Sequence, residues 1–239
     1  MAEIYLVRHG QASFGADNYD QLSSRGQKQS LLTGQKYTRC VKPCLVFTGQ
    51  HKRHQQTLDG FKQGLDVVDV DLPAEWQSPQ VMSGFNEFDH EQVLFRAYPE
   101  LADKKALALE LAKHERPQSH FHYLFQKAVE RWISGQFDTE YDESWVSFQQ
   151  RCKDALSHVK AQVLAAEGVS QAWVFTSGGP VAAVAQAVMG LSDGATFELN
   201  ENLANTGVTR LLFSGSKVSV SYLNSIGHLL EKPEYVTYR

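Results

Sequence analysis

The chain has 239 residues, 42% hydrophobic and 21% charged, with a formal net charge of −4 at pH 7. That length closes the core of one sizeable α/β domain or two small ones. The charge excludes a broad nucleic-acid or anionic-membrane footprint, so any anion site must be made by a few placed arginines. Cys40, Cys44 and Cys152 are too few for a disulfide framework and match no metal spacing, so they read as reduced thiols. No stretch reaches the roughly 18 apolar residues of a membrane span, and the first strand starts too early to leave room for a signal peptide. The expectation is a cytoplasmic protein with no membrane or nucleic-acid partner.

In chain order, IYLV (4–7) is a near-continuous apolar run that suits a central strand, and it ends in Arg8, His9 and Gly10. A helix over 24–39 follows, with Ser23 or Ser24 as its cap. CLVFT (44–48) is a second strand and 50–64 a second helix. From about 90 to 168 the texture turns helical: DKKALALELAKHE, HFHYLFQKAVERWISG and SWVSFQQRCKDALSHVKAQVLAAEG all carry helical periodicity, with Pro99 and Pro117 as breaks. This reads as a helical cap inserted in a single domain spanning 1–239. Its aromatics, Phe121, Tyr123, Phe125, Trp132, Phe137, Tyr141 and Trp145, have the spacing of core positions, with a substrate cap or a protein interface as the alternatives. AWVFT (172–176) is a third strand, and GGPVAAVAQAVMG a helix with Pro180 near its first turn and Gly190 at its end. VTRLLF (208–213) and VSVSYL (218–223), around Gly215, read as an antiparallel hairpin at or near the sheet edge. Strands alternating with helices predict a mostly parallel sheet covered on both faces, a three-layer α/β/α sandwich.

Two polar side chains ending a buried strand need a reason. In open α/β sheets, ligands bind beyond the carboxyl ends of the strands. The first strand delivers Arg8 and His9 there, the second delivers Arg53 on the next helix turn, and the third delivers TSGGP at a helix start. Two guanidiniums, an imidazole and a helix N-terminus around one point make a site for a phosphoryl group. GFNEFDHE, before the insertion, adds carboxylates, of which Glu87 is the natural proton donor to a leaving alkoxide, with nearby Asp89 and Glu91 as the alternatives. His51, His54, His90, His114, His120, His122 and His158 read as solvated or helix-surface residues. No cofactor is called for, and no cluster of carboxylates suggests a metal.

On LVRHG, LSSRGQKQ, the R-x-x-Q-T pattern of Arg53, Gln56 and Thr57, Glu87 ahead of a helical insertion, the glycine pair after the third strand and NTGVTRL, the chain resembles the histidine phosphatase superfamily, in its phosphoglycerate mutase-like branch. The resemblance implies attack by His9 on phosphorus, a phosphohistidine intermediate and release by water. It implies phosphoryl binding by Arg8 and Arg53, and acid–base work by Glu87. The substrate would be a small phosphomonoester or a phosphohistidine protein. Phosphoglycerate mutase-type transfer is the alternative. It is disfavoured because the basic residues of the insertion, Arg96, Lys104, Lys105, Lys113, Arg116, Lys127 and Arg131, include no adjacent arginine pair.

One stretch departs from the pattern. The family usually places a second histidine directly before the paired glycines, and here Ser177 stands in its place. Three accounts are open: Ser177 acts as a weaker donor with the N–H groups of Gly178 and Gly179; His228, after the last strand, enters the site; or the chain is a catalytically impaired phosphate-binding or scaffolding protein. Gln11 and Ala12 follow RHG where relatives carry an acidic residue and then Ser or Thr, which leaves Ser13 as a substitute hydroxyl.

Overall fold

The computed structural model describes residues 1–13, 20–67 and 74–238. Contacts divide the chain into two compact units, Met1–Glu87 with Arg151–Arg239, and Phe88–Gln150.

The first unit holds a six-stranded sheet, with strands β1 (Ala2–Arg8), β2 (Cys44–Thr48), β3 (Gln80–Val81), β4 (Gln171–Thr176), β5 (Val208–Ser214) and β6 (Lys217–Ser225). Their order is β3-β2-β4-β1-β5-β6. The β3–β2, β2–β4 and β4–β1 pairs are parallel, while β1–β5 and β5–β6 are antiparallel. The expected closing hairpin is therefore present, with β6 at the edge. Alternation sorts the side chains of each central strand onto two faces. Ile4, Leu6, Ala172 and Val174 join Val159 and Val163 of α6 (Trp145–Ala165) and Val181, Ala182 and Val184 of α7 (Gly178–Met189) in one cluster. Tyr5, Val7, Trp173 and Phe175 join Tyr37 of α1 (Ser24–Tyr37) and Leu58, Phe61 and Leu65 of α2 (Lys52–Asp66) in the other. Helices thus cover both faces, as a three-layer α/β/α sandwich requires.

Local chemistry explains the helix ends. Ser23 caps α1 by accepting the Gly26 N–H, and Gly190 ends α7 in the left-handed conformation that glycine adopts without strain (φ 71°). Helices α1 and α2 cross at backbone contact. A Cβ added to Gly64 would meet Leu31 O at 2.1 Å, and one added to Gly34 would meet Phe61 O at 2.0 Å. Two elements fall outside the sequence-based outline: the two-residue β3, and α8 (Asp193–Asn202), capped by Ser192.

The second unit is helical, with α3 (His90–Ala97), α4 (Lys104–Leu111), α5 (Pro117–Ile133) and the first residues of α6, which continues into the first unit. The two prolines act as expected: Pro99 opens a short 3-10 turn beyond α3, and Pro117 sits in the first turn of α5. Trp132, Trp145, Phe148 and Phe88 are buried and pack at ring-centroid distances of 4.9 to 5.8 Å. Tyr123 and Phe137 are exposed. Among the described residues, no helix is long and apolar enough to cross a membrane.

Candidate functional site

The parallel register sets the site. β4 lies between β2 and β1, with Arg8 opposite Thr176 and Thr48 opposite Phe175. The chain segments leaving these three strands therefore emerge side by side at one sheet edge, and carry His9, Gly49 and Ser177 there. The His9 N–H donates to Thr176 O at 2.8 Å, and the Gly49 N–H to Phe175 O at 3.1 Å, which extends the sheet by one rung.

His9 is 6% exposed, and its Nδ1 lies 2.7 Å from Gly10 O. A carbonyl can only accept, so Nδ1 carries the proton and Nε2 keeps the lone pair. Burial lowers the proton affinity of this imidazole well below the usual histidine range, and the nearby cations Arg53 and Arg8 lower it further. The Gly10 N–H donates to Thr57 Oγ1 at 3.1 Å, and that hydroxyl donates to Arg53 O at 2.7 Å. Gln56 Oε1 accepts the Leu22 N–H at 2.7 Å. The R-x-x-Q-T pattern thus ties the turn after β1, and the chain before α1, to the first two turns of α2.

Arg53 is 6% exposed and sits in the first turn of α2, where the helix dipole disfavours a cation. Asp20 offsets this. Its Oδ1 pairs with Arg53 Nη1 at 3.0 Å, and its Oδ2 accepts the Lys52 N–H at 2.9 Å. Arg8 donates through Nη1 to Leu203 O and through Nη2 to Tyr238 O, the latter at 3.1 Å. Its guanidinium lies against the start of α7: a Cβ on Gly178 would sit 3.4 Å from Arg8 Nε.

Glu87 reaches the same helix start, with its Oε2 accepting the Gly179 N–H at 3.1 Å. The loop that presents Glu87 is fixed from two sides: Thr176 Oγ1 donates to Phe85 O at 2.7 Å, and Arg151 Nη1 donates to Asn86 O at 2.8 Å and to Gly84 O at 3.1 Å.

Ser177 is fully buried and occupies the N-cap position of α7, yet its hydroxyl makes no capping bond. Its Oγ lies instead 2.6 Å from Nε2 of His54. The reading of His54 as a solvated helix-surface residue does not hold. It is 0% exposed, and its ring centroid is 5.8 Å from that of His9 and 5.1 Å from that of His51.

Arg8, His9, Arg53, Glu87, Ser177 and Gly178 are thus brought to one sheet edge. Two other expected residues are held by hydrogen bonds of their own. His228 Nε2 lies 2.8 Å from Thr206 Oγ1. That hydroxyl donates to Asn205 O at 2.7 Å, so it accepts from Nε2–H. Thr206 in turn donates its N–H to Arg8 O at 3.1 Å, which makes His228 a buttress behind the RHG turn. Ser13 pairs through its N–H with Gln21 O at 2.8 Å, at the margin of the described residues. One group of metal-ligand type occurs among the described residues, Glu110, His114 and His120, and it lies in the second unit.

Sequence reasoning missed His54, Asp20, Thr176 and Arg151. Only His54 carried a signal, as a histidine next to Arg53, and nothing in the sequence pointed it towards Ser177.

The sequence model of the histidine phosphatase superfamily (branch 1) matches residues 97–226, just over half of the chain. Ser177 and Gly178 fall inside that range, whereas Arg8, His9, Arg53 and Glu87 precede it. No curated protein sequence matches the chain. Solved structures with the same fold include the phosphoglycerate mutase of Bacillus anthracis, 12% identical with a TM-score of 0.64 over 95% of each chain. A phosphoserine phosphatase from Entamoeba histolytica, in complex with 3-phosphoglyceric acid, is 16% identical with a TM-score of 0.59 over 96% of this chain and 100% of that one. A mycobacterial glucosyl-3-phosphoglycerate phosphatase is 16% identical with a TM-score of 0.57 over 94% of this chain and 99% of that one. The fold is shared along nearly its whole length and the family's sequence pattern along more than half of it: the chain belongs to branch 1 of the histidine phosphatase superfamily.

Proposed function

We propose that the protein is a phosphatase that hydrolyses a small phosphomonoester or a phosphohistidine through a phosphohistidine intermediate on His9, with no metal in the mechanism. The observation that carries this reading is the His9 imidazole. Its Nδ1–H is committed to Gly10 O, and its proton affinity is lowered by burial and by the Arg53 and Arg8 guanidiniums. Nε2 is therefore an unprotonated nucleophile at neutral pH beside two cations able to bind an oxyanion. In the first step Nε2 attacks phosphorus while the bond from phosphorus to the ester oxygen breaks. Glu87, in its acid form, gives its proton to the departing oxygen. In the second step Glu87, now the carboxylate, takes a proton from water as that water attacks phosphorus and frees His9. General acid–base help of this kind contributes about 10²–10⁴-fold.

Two of the similar structures, the phosphoserine phosphatase and the glucosyl-3-phosphoglycerate phosphatase, support hydrolysis, and the mutase keeps transfer between hydroxyls as the competing outcome. The test pairs turnover of p-nitrophenyl phosphate with conversion of 3- to 2-phosphoglycerate. The wild type is expected to release phosphate from the first, and His9→Ala to lose at least about 10³-fold in kcat with its melting temperature kept. Isomerisation without phosphate release would select the mutase. Orthophosphate binding without turnover of either substrate would select a phosphate-binding or scaffolding role.

A further inference from the structure

Ser177 raises a question that the reaction scheme leaves open. A serine at a helix N-cap ordinarily turns its oxygen onto the N–H groups of the first turn. Here it does not, and the Gly179 N–H is taken by Glu87 instead. The hydroxyl is directed to Nε2 of His54, 2.6 Å away and 123 residues distant in sequence. Both side chains are 0% exposed, so the contact is not a solvent-side coincidence. The space for the imidazole is also reserved by the backbone: a Cβ on Gly49 would lie 2.3 Å from His54 Nδ1. Two departures from expectation, a serine where the family places a histidine and a buried histidine on the first turn of α2, are therefore in direct contact. They meet beside the nucleophile, with the His54 and His9 centroids 5.8 Å apart.

We propose that His54 and Ser177 together replace the family's second histidine: Ser177 Oγ–H donates to a phosphoryl oxygen, and His54 Nε2–H donates into Oγ. The hydroxyl alone is a short neutral donor. An imidazole N–H bonded to its oxygen draws electron density from the O–H bond and strengthens its donation to an anion, as in other chains of hydrogen bonds in a buried setting. Either protonated form of His54 that carries a proton on Nε2, neutral or cationic, performs this role. The same bond fixes the rotamer of Ser177, so its proton is aimed at the site. Ser177 is then the residue that touches the substrate, and His54 is a positioning residue acting through it. At rest His54 is held neutral, since burial and then the Arg53 and His51 charges depress its proton affinity well below the usual range, with a backbone hydrogen bond to Gly49 acting in the opposite direction; the proposed role requires the proton on Nε2.

This inference rests on the phosphohistidine reading, and one set of variants separates the two. His9→Ala, Ser177→Ala, Ser177→His, His54→Ala, the double variant S177A/H54A and the swap H54A/S177H are compared by kcat and KM for p-nitrophenyl phosphate, by vanadate affinity and by melting temperature. Ser177→Ala removes one oxygen with little change of volume, so it is informative even if His54→Ala fails to fold. Ser177→Ala and His54→Ala are each expected to lower kcat by about 10²–10³-fold, the cost of one oxyanion donor. The double variant is expected to be no slower than the slower single one, because both changes break one unit. S177H alone is expected to be impaired, because its ring needs the space His54 occupies, and the swap to exceed His54→Ala at least tenfold in kcat. A folded His54→Ala enzyme within threefold of wild type would overturn the pair, as would multiplicative losses in the double variant or a swap no better than His54→Ala. Turnover that survives His9→Ala would instead overturn the phosphohistidine reading itself.

Discussion

Thr57 shows how one hydroxyl serves both chemistry and stability. It is fully buried, accepts from the Gly10 N–H and donates to Arg53 O, so it couples the nucleophile's turn to the helix that carries the clamp. Thr57→Val keeps the shape and strands the Gly10 N–H. The expected cost is about 1–3 kcal/mol, the penalty for an unsatisfied buried donor, read as a lower urea midpoint together with a fall in kcat. At this scale the sequence was informative wherever a residue acts through its own neighbours. LVRHG announced a functional strand end, and GGP announced a helix start. It was silent wherever a role comes from a partner far along the chain. His54 sits in TGQHKRHQQT, a polar stretch indistinguishable from a solvated helix face, and its contact with Ser177 exists only in the tertiary structure. The strand before His228 makes it a sequence candidate for the phosphate site, but Thr206, in the left-handed region at φ 58°, holds its imidazole behind the turn.

The pairing of α1 with α2 sets the platform from which Arg53, His54, Gln56 and Thr57 project. The two helices approach at backbone distance through Gly34 and Gly64. By helix propensity alone, Gly64→Ala should stabilise α2 by about 1 kcal/mol. The added Cβ would lie 2.1 Å from Leu31 O, a backbone atom that cannot step aside, so the helices must separate. Overpacking of this kind costs about 1–3 kcal/mol, and the clash wins. The expected result is a net loss in the urea midpoint and a weaker kcat. Gly194→Ala in α8 is the control, since an added Cβ there meets nothing within 4 Å; it is expected to be neutral or to gain up to about 1 kcal/mol. Elements with strong local signals were legible for the same reason that they are stable. β2 was anticipated at its observed ends, and α1 and α7 by their caps. The two-residue β3 was not, because both its residues are exposed and the strand exists only by pairing with Phe47 and Thr48.

At the scale of the molecule, three histidines among the described residues are buried without charge. His9, His54 and His228 all have proton affinities depressed below the ordinary value, chiefly by burial, and His228 is brought down to about 4. In the unfolded chain each takes up a proton near pH 6.5, whereas in the folded one it resists until lower pH. The unfolded state therefore binds more protons in that window, and stability falls as pH drops from about 7 towards 4. For His228, whose Nδ1 has no hydrogen-bond partner among the described residues, the contribution is up to about 3 kcal/mol. Urea unfolding at pH 7.5 and pH 4.5 is expected to show a smaller acid loss for His228→Gln than for the wild type. An equal loss in both would remove that imidazole from the account. The three-layer architecture was legible because alternation and burial repeat along every central strand. The route by which Ser177, between the first two strands' loops, finds a partner on α2 was not, because strand order is a property of the assembled sheet.

The central claim is that His9 carries the phosphoryl group, and trapping tests it most directly. The enzyme is mixed with a 32P-labelled phosphodonor for milliseconds and quenched in alkali, where a phosphorus–nitrogen bond to histidine survives and is then mapped by peptide. Label on the peptide containing His9, lost on acidification and absent in His9→Ala, is the predicted result. Rapid turnover of the same donor with no label on His9 would contradict it.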